Sequence, residues 1–305
     1  MDTAIEVRSL RMAYGDTEVV HGIDLTVRRG EVFAVLGPNG AGKTTTVEIL
    51  EGFRQRTGGL ASVLGQDPRT AGPAWRERIG VVLQSSTPEA ELTVLETLSL
   101  YGGFYRRPVP TERLLELCGL TEQANVRNKR LSGGQQRRLD VALALVGSPE
   151  LVFLDEPTTG FDPAARRAAW ETIAGLKALG TTIVLTTHYL EEAEYLADRI
   201  AVIHRGRIVA EGTPATLGGR DTLPTSITFR LPEGVPAPPA AEASAEGGAE
   251  AGRYRVRTDD PTRALHDVTA WAVQCGISLI DIDVHRPTLE DVYLQLTNPK
   301  EAVPA

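Results

Sequence analysis

Hydrophobic and polar positions change rhythm several times along this chain. "IEVRSLRMAY" and "EVVHGIDLTV", near the start, alternate apolar and polar residues. That two-residue period belongs to strands with one wet face and predicts antiparallel pairing. "EVFAVL", "RIGVVL", "LVFLD", "TTIVLTT" and "RIAVIHRG" are short β-rich runs, several of them apolar throughout, as in strands covered on both faces. Between them, "KTTTVEILEG", "GGQQRRLDVALALVG", "AARRAAWETIAGLKALG" and "EEAEYLADR" carry helical patterns. The alternation predicts an α/β domain over residues 1–217, with a mainly parallel sheet and an antiparallel portion near the N-terminus. Residues 88–147 read mostly helical, as a subdomain inserted into it.

Past Leu217 the character changes, and residues 218–305 predict a small α+β domain. "SITFRLP" and "RYRVRTD" read as strands on either side of a low-complexity loop, 232–252, rich in Ala, Pro, Gly and Glu. That loop holds no large apolar residue to bury and is expected to stay mobile. A helix "PTRALHDVTAWAVQCG", a strand "ISLIDIDVH" and a closing helix "TLEDVYLQLT" follow, and no segment repeats another.

Composition narrows the function classes. The chain has 305 residues, 42% hydrophobic and 24% charged, with a net charge of −8. A nucleic-acid binder ordinarily shows a basic excess or stripe, so no nucleic-acid partner is expected. The two cysteines, Cys118 and Cys275, lie far apart without metal-ligand spacing and read as packing residues; such sparse use fits a reducing cytosol. "MDTAIEVRSL" lacks the pattern of a signal peptide, and the longer apolar runs fall well short of the ~20 residues that span a bilayer. The expected location is therefore cytoplasmic, with any membrane work done through a partner. The Arg pairs at 106–107, 137–138 and 166–167 read as solvated or salt-bridged faces.

Three stretches carry chemistry. Gly37-Pro38-Asn39-Gly40-Ala41-Gly42-Lys43-Thr44 fits G-x-x-x-x-G-K-[ST] without exception, between a strand and a helix. Its glycines let backbone N–H groups point inward, and the helix offers its positive end to an anion. In such a loop the lysine reaches the β- and γ-phosphates of a nucleotide, and the threonine offers a hydroxyl to Mg²⁺. "LVFLDEP" ends a buried strand with Asp155, at the edge where ligands of open α/β sheets bind, placed to hold the Mg²⁺ shell through water. Glu156 follows, where a carboxylate can orient and deprotonate an attacking water. "LSGGQ", Leu131-Ser132-Gly133-Gly134-Gln135, opens a patterned helix with a capping hydroxyl and repeats the anion-binding logic.

In this order and at these separations, "GPNGAGKTT", "LSGGQ" and "LVFLDEP" resemble the ATP-binding subunit of ABC transporters, over about residues 1–215. The resemblance implies a P-loop ATPase with ATP and Mg²⁺ as cofactors. It adds Thr45 to the ATP-binding loop, Tyr14 as the ring stacked on adenine, and Gln84 as a residue that touches Mg²⁺ or water and senses the membrane partner. It makes His188 in "LTTHYLEEA" the contact to the γ-phosphate, beside the catalytic Glu156, and Asp162 in "TTGFDP" an inter-subunit contact, with Phe161 where leucine is commoner. The family lays "LSGGQ" of one subunit over the phosphate loop of another. One copy of each motif thus implies a second ATPase subunit, most simply a homodimer, and an integral-membrane permease at the cytoplasmic face of the cell membrane.

The tail "RPTLEDVYLQLT" resembles exporter ATPases of the drug-resistance class, whereas sugar-importer ATPases carry an all-β tail. Competing readings are an importer ATPase, a non-transport ABC ATPase, which ordinarily has coiled coils or two cassettes in one chain, and a regulatory module with slow hydrolysis. The presence of both Glu156 and His188 counts against the last.

Overall fold

The computed structural model describes residues 2–82, 89–232, 234–238, 241–243 and 252–297. They fall into two compact units divided between Pro214 and Ala215.

In the first unit, β1 (Thr3–Tyr14) and β2 (Thr17–Arg28) form a bulged antiparallel hairpin. β3 (Val32–Leu36) is buried at every position and runs into α1 (Lys43–Glu51). β4 (Gly58–Val63) returns to pair with β1, giving a three-stranded sheet ordered β2-β1-β4. After α2 (Pro73–Arg76), whose Trp75 is buried and donates to Val63 O at 2.8 Å, comes β5 (Ile79–Val82). The mostly helical stretch holds α3 (Val94–Gly102), α4 (Thr111–Leu117) and α5 (Gly133–Leu145). β6 (Leu151–Asp155), α6 (Pro163–Ala178), β7 (Thr182–Thr187), α7 (Leu190–Leu196), β8 (Arg199–His204) and β9 (Arg207–Gly212) complete the unit.

Among the described residues the second sheet of this unit is six-stranded, ordered β5-β6-β7-β3-β8-β9. All its pairings are parallel except β8 with β9. β3, β6 and β7 are buried throughout, which is why they read as unbroken apolar runs. Their register matters most. Leu36 lies opposite Thr187, and Asp155 opposite Thr186. The carboxyl ends of β3, β6 and β7 therefore stop at one level, and the chain leaves the sheet there at residues 37, 156 and 188. The core beneath joins apolar side chains of β1, β2, β3, α1 and β4 with Trp75 and Phe153.

The second unit opens with a 3₁₀ turn, Leu217–Thr222. β10 (Thr225–Arg230), β11 (Glu242–Ala243), β12 (Arg253–Thr258), α8 (Pro261–Gln274), β13 (Ile280–His285) and α9 (Leu289–Thr297) follow. Its sheet is antiparallel, ordered β11-β12-β10-β13, and Ile227, Phe229, Leu231, Val256 and Val268 form its core. The loop expected over 232–252 departs from that expectation in part. Val235, Ala237 and Ala241 pack against this core, and Glu242–Ala243 adds a two-residue strand to β12. Small residues cannot build a core, but they can cover one that β10 and β12 already supply. No helix among the described residues is long and apolar enough to cross a membrane.

Glu51, the last residue of α1, is buried, and its Oε1 has no hydrogen-bond partner. Burial, reinforced by the fields of Asp155 and Glu48, pushes its carboxyl from 4.5 up to about 8. A raised carboxyl contributes stability that is fully present below the unfolded value and is lost as pH climbs through the folded one. The unfolding free energy should therefore fall as pH rises from 4.5 to about 8. Denaturant titrations of Glu51→Gln across that window should show the slope reduced; an unaltered slope would assign it to another group.

Candidate functional site

The turn after β3 can be made only by glycine at two of its positions. A Cβ on Gly37 would stand 2.3 Å from Ile203 O, and one on Gly42 would stand 2.9 Å from Val19 O. Gly42 also has φ 101°, a left-handed value that glycine alone takes without strain. Asn39, Gly40 and Thr44 are exposed, while Pro38 and Thr45 are half-buried. Ala41 is buried and joins the turn to β8–β9, its carbonyl accepting from Gly206 N at 2.9 Å. Thr46 ties α1 back to the loop through Gly42 O at 2.8 Å.

Lys43 is buried, and its ammonium donates to Gly37 O at 2.7 Å and to Pro38 O at 3.2 Å. Burial pulls its pKa below the ordinary value, while the carboxylates of Glu156 and Asp155 pull it back up. A cation, glycine-lined backbone and the N-terminal end of a nine-residue helix thus face one small space, the donor set that a phosphate chain requires.

The end of β6 supplies the acids. Asp155 is buried, and the Thr186 hydroxyl donates to its Oδ1. Glu156 turns off the strand with φ 45°, left-handed for a residue with a Cβ, at a cost of about 1–3 kcal/mol. Its N–H reaches Thr186 Oγ1 at 3.0 Å, and Thr159 donates to its Oε2 at 3.1 Å. Its Oε1 lies 3.3 Å from His188 Nδ1 and 3.9 Å from Lys43 Nζ. The shared level of β3, β6 and β7 therefore brings Lys43, Glu156 and His188 together from three separate stretches.

Ser132 caps α5. Its Oγ accepts from Gln135 N at 3.3 Å, and Gln135 Oε1 accepts from Ser132 N at 2.9 Å, a capping box. Leu131 is buried beneath. A Cβ on Gly133 would meet nothing within 4 Å, so nothing inside the chain requires glycine there. A cavity of about 720 Å³ lies between this helix end and the turn after β6, lined by Ser132, Gly133, Gly134, Glu156, Phe161 and Asp162 among others. Asp162 is exposed and caps α6, its Oδ1 accepting from Ala164 N and Ala165 N at 2.9 Å each.

Tyr14 is exposed at the end of β1. Arg54 lies over its ring, 5.1 Å from the centroid, and is steadied by Glu48. Gln84 lies outside the described residues. Among the described residues no three His, Cys, Asp or Glu side chains gather as a metal cluster. Oxygens suited to Mg²⁺ are nevertheless present, in the hydroxyl of Thr44 and the carboxylate of Asp155.

One expectation is corrected. Arg137 lies on no solvated face, although it does have an ion pair, with Asp140 at 3.8 Å on the same helix. It is buried, and it donates from Nη2 to Asp155 O at 2.9 Å and from Nε to Pro157 O at 3.0 Å. Burial lowers its pKa against the opposing pull of the Asp140, Asp155 and Glu192 carboxylates. Its place one helical turn before Val141 on the buried side of α5 was the available sequence signal. Glu192 was also passed over. Fully buried on α7, it accepts from Thr158 at 2.8 Å and from Trp170 Nε1 at 3.0 Å, tying the turn after β6 to the helix after His188.

Comparison with known proteins gives a consistent picture. The family described as "ABC transporter" matches residues 20–159, and one described as "ABC transporter domain-containing protein-like, C-terminal domain" matches 225–288. The "Nod factor export ATP-binding protein I" of Cupriavidus pinatubonensis is 40% identical, over 96% of this chain and 90% of its own length. The "Daunorubicin resistance ATP-binding protein DrrA3" of Streptomyces coeruleorubidus is 38% identical, over 99% of this chain and 98% of its own length. An ATP-binding cassette of an ABC transporter in its ADP conformation superposes with a TM-score of 0.63 at 26% identity, over 70% of this chain and 92% of that one. A dimeric cassette in a post-hydrolysis state with ADP and Pi gives 0.62 at 25% identity, over 68% and 98%.

Gly42→Ala should cost about 1–3 kcal/mol through its backbone conformation alone. The added contact with Val19 O should also deform the phosphate-facing turn. Chemical denaturation with fluorescent-nucleotide titration checks both effects, and a variant as stable and as avid as the parent would contradict the geometry.

Proposed function

The chain belongs to the ABC transporter family as an ATP-binding subunit, and from that membership we propose that it is the ATPase of an exporter, working through a separate integral-membrane permease at the cytoplasmic face of the cell membrane. The relatives named for export and for drug resistance match both units, and this supports export over import. The transported substrate is a drug, a lipid or another small molecule, selected by the permease.

The observation that carries the catalytic reading is the meeting of Glu156 Oε1 with His188 and Lys43, at 3.3 and 3.9 Å, beside the glycine turn. ATP is the substrate. The turn Gly37–Gly42 and the amides of Lys43, Thr44 and Thr45 receive its phosphates, with the end of α1 adding its partial positive charge. Lys43 exchanges the carbonyls of Gly37 and Pro38 for phosphate oxygens, keeping its charge paired throughout. Tyr14 offers adenine the ring face that Arg54 leaves open. Thr44, Asp155 and Gln84 would hold Mg²⁺, which when bound neutralises charge on the phosphates.

Glu156 orients the attacking water and takes its proton, worth about 10²–10⁴ in rate. His188, 3.3 Å from that carboxylate, holds the γ-phosphate. Leu131 to Gln135 serve the ATP of a facing copy, an isologous arrangement that explains a glycine at 133 for which this chain has no internal need. Asp162, on the wall of the same cavity, meets that copy.

Glu156→Gln should bind ATP, stop turnover and accumulate as a dimer, read by size-exclusion chromatography with ATP. A monomer, or undiminished phosphate release, would overturn the reading. Lys43→Ala should weaken nucleotide binding by about tenfold or more, the scale of one charge-assisted contact. Calorimetry showing unaltered affinity would remove Lys43 from the site.

A further inference from the structure

Arg137 has no part in the chemistry above, yet it touches the backbone on which that chemistry depends. Its guanidinium donates to the carbonyls of Asp155 at 2.9 Å and Pro157 at 3.0 Å, and stands 3.5 Å from the carbonyl of Glu156. Three consecutive carbonyls of one turn thus converge on one planar fork. The middle residue of that turn is Glu156, held in the left-handed region. Thr186 grips its N–H from the other side. The direction of the Glu156 carboxylate is therefore fixed between β7 and α5.

The same helix begins at the capped Ser132, five residues earlier, which is about 7.5 Å at the α-helical rise. Ser132, Arg137 and Glu156 line one cavity. The start of α5 is thus joined to the Glu156 turn by little more than one helical turn and the Arg137 side chain.

We propose that Arg137 is a positioning residue that transmits engagement of a triphosphate at Ser132–Gly134 to the Glu156 carboxylate of the same chain. This rests on the reading of the chain as an ATPase that dimerises over ATP. In that dimer the start of α5 faces the triphosphate held by the second copy, whereas Glu156 acts on the triphosphate held by its own Lys43. Arg137 then joins the two ATP sites through a single chain. Clamping at one site aims the carboxylate at the other, and the dimer hydrolyses with positive cooperativity. A lysine would keep the charge but not the fork: its three donors radiate from one nitrogen instead of being spread along a plane as Nε and Nη2 are.

The test uses the full chain as Arg137→Lys and Arg137→Ala, with ATP titrated by calorimetry and by steady-state hydrolysis. Both variants should bind ATP within about threefold of the parent. Arg137→Ala should lose about 10² in kcat, the scale of a catalytic group misplaced by about 1 Å, with the Hill coefficient falling to about 1. Millimolar guanidinium ion should restore part of that kcat in Arg137→Ala and none in Glu156→Gln. Arg137→Lys, the gentler change should the alanine variant fold poorly, should show the same split between kcat and binding in smaller measure. Parent-like kcat and cooperativity in a folded variant would overturn the proposal. So would a parallel loss of binding and kcat without rescue, which would mark Arg137 as structural only. If Glu156→Gln dimerises with ATP while Arg137→Ala behaves as the parent, the Arg137 assignment alone falls. If Glu156→Gln stays monomeric, the dimer reading falls and the coupling with it.

Discussion

A buried ammonium must have oxygens around it. Lys43 is the first residue of α1, pinned under a turn that tolerates no side chain at Gly37, and water cannot solvate it freely there. Its partners are the carbonyls of Gly37 and Pro38, with the Glu156 carboxylate at 3.9 Å. Much of the first unit can be understood as meeting that requirement. Glu156 reaches Lys43 because β3 and β6 flank β7 in parallel register and all three strands end together. A slip of one residue in any of them would turn each side chain to the opposite face and separate the pair. The arrangement is also provisional: two carbonyls are weaker partners for an ammonium than a phosphate chain, so the resting contacts favour exchange.

Glu156 shows the converse demand. Its carboxylate is held by Thr159 and lies beside His188 and Lys43, so all freedom to redirect it sits in the backbone. That backbone is in an unfavourable region and persists only because the N–H is held by Thr186 and the neighbouring carbonyls by Arg137. Glu192 braces the next residues through Thr158 and reaches Trp170 on α6. The turn that carries Glu156 is thereby tied to β7, α5, α6 and α7 at once.

Much of this was legible in the chain. The glycine loop, "LSGGQ" and "LVFLDEP" each announce a local backbone geometry, and the apolar runs announce buried parallel strands. Strand order and register were not legible, because β3, β6 and β7 are similar apolar runs that say nothing of which neighbours which. The burial of Arg137 was missed for a related reason: a charged residue beside another charged residue looks like surface, and what justifies burial is three backbone carbonyls distant in sequence together with the buried Asp140 at 3.8 Å. The packing of Val235, Ala237 and Ala241 was not anticipated, because covering a core takes less apolar area than forming one.

The second unit raises the question of which surface can pair two copies. β13 is an edge strand whose register slips against β10 between Asp283 and Ile280, with Asp281 left-handed at φ 49°; Val284 pairs with Ile227 and Ile280 with Arg230, which places the two on opposite faces. A bulged edge presents no unbroken ladder to a second strand. Arg230 pairs with Asp281 at 2.6 Å. The bulge and the exposed acids blunt this edge, as such features on exposed strands commonly do. The start of α5 differs in kind: it is a helix N-terminus with a glycine at 133 that nothing within the chain requires and a cavity beside Glu156, features suited to a negatively charged ligand.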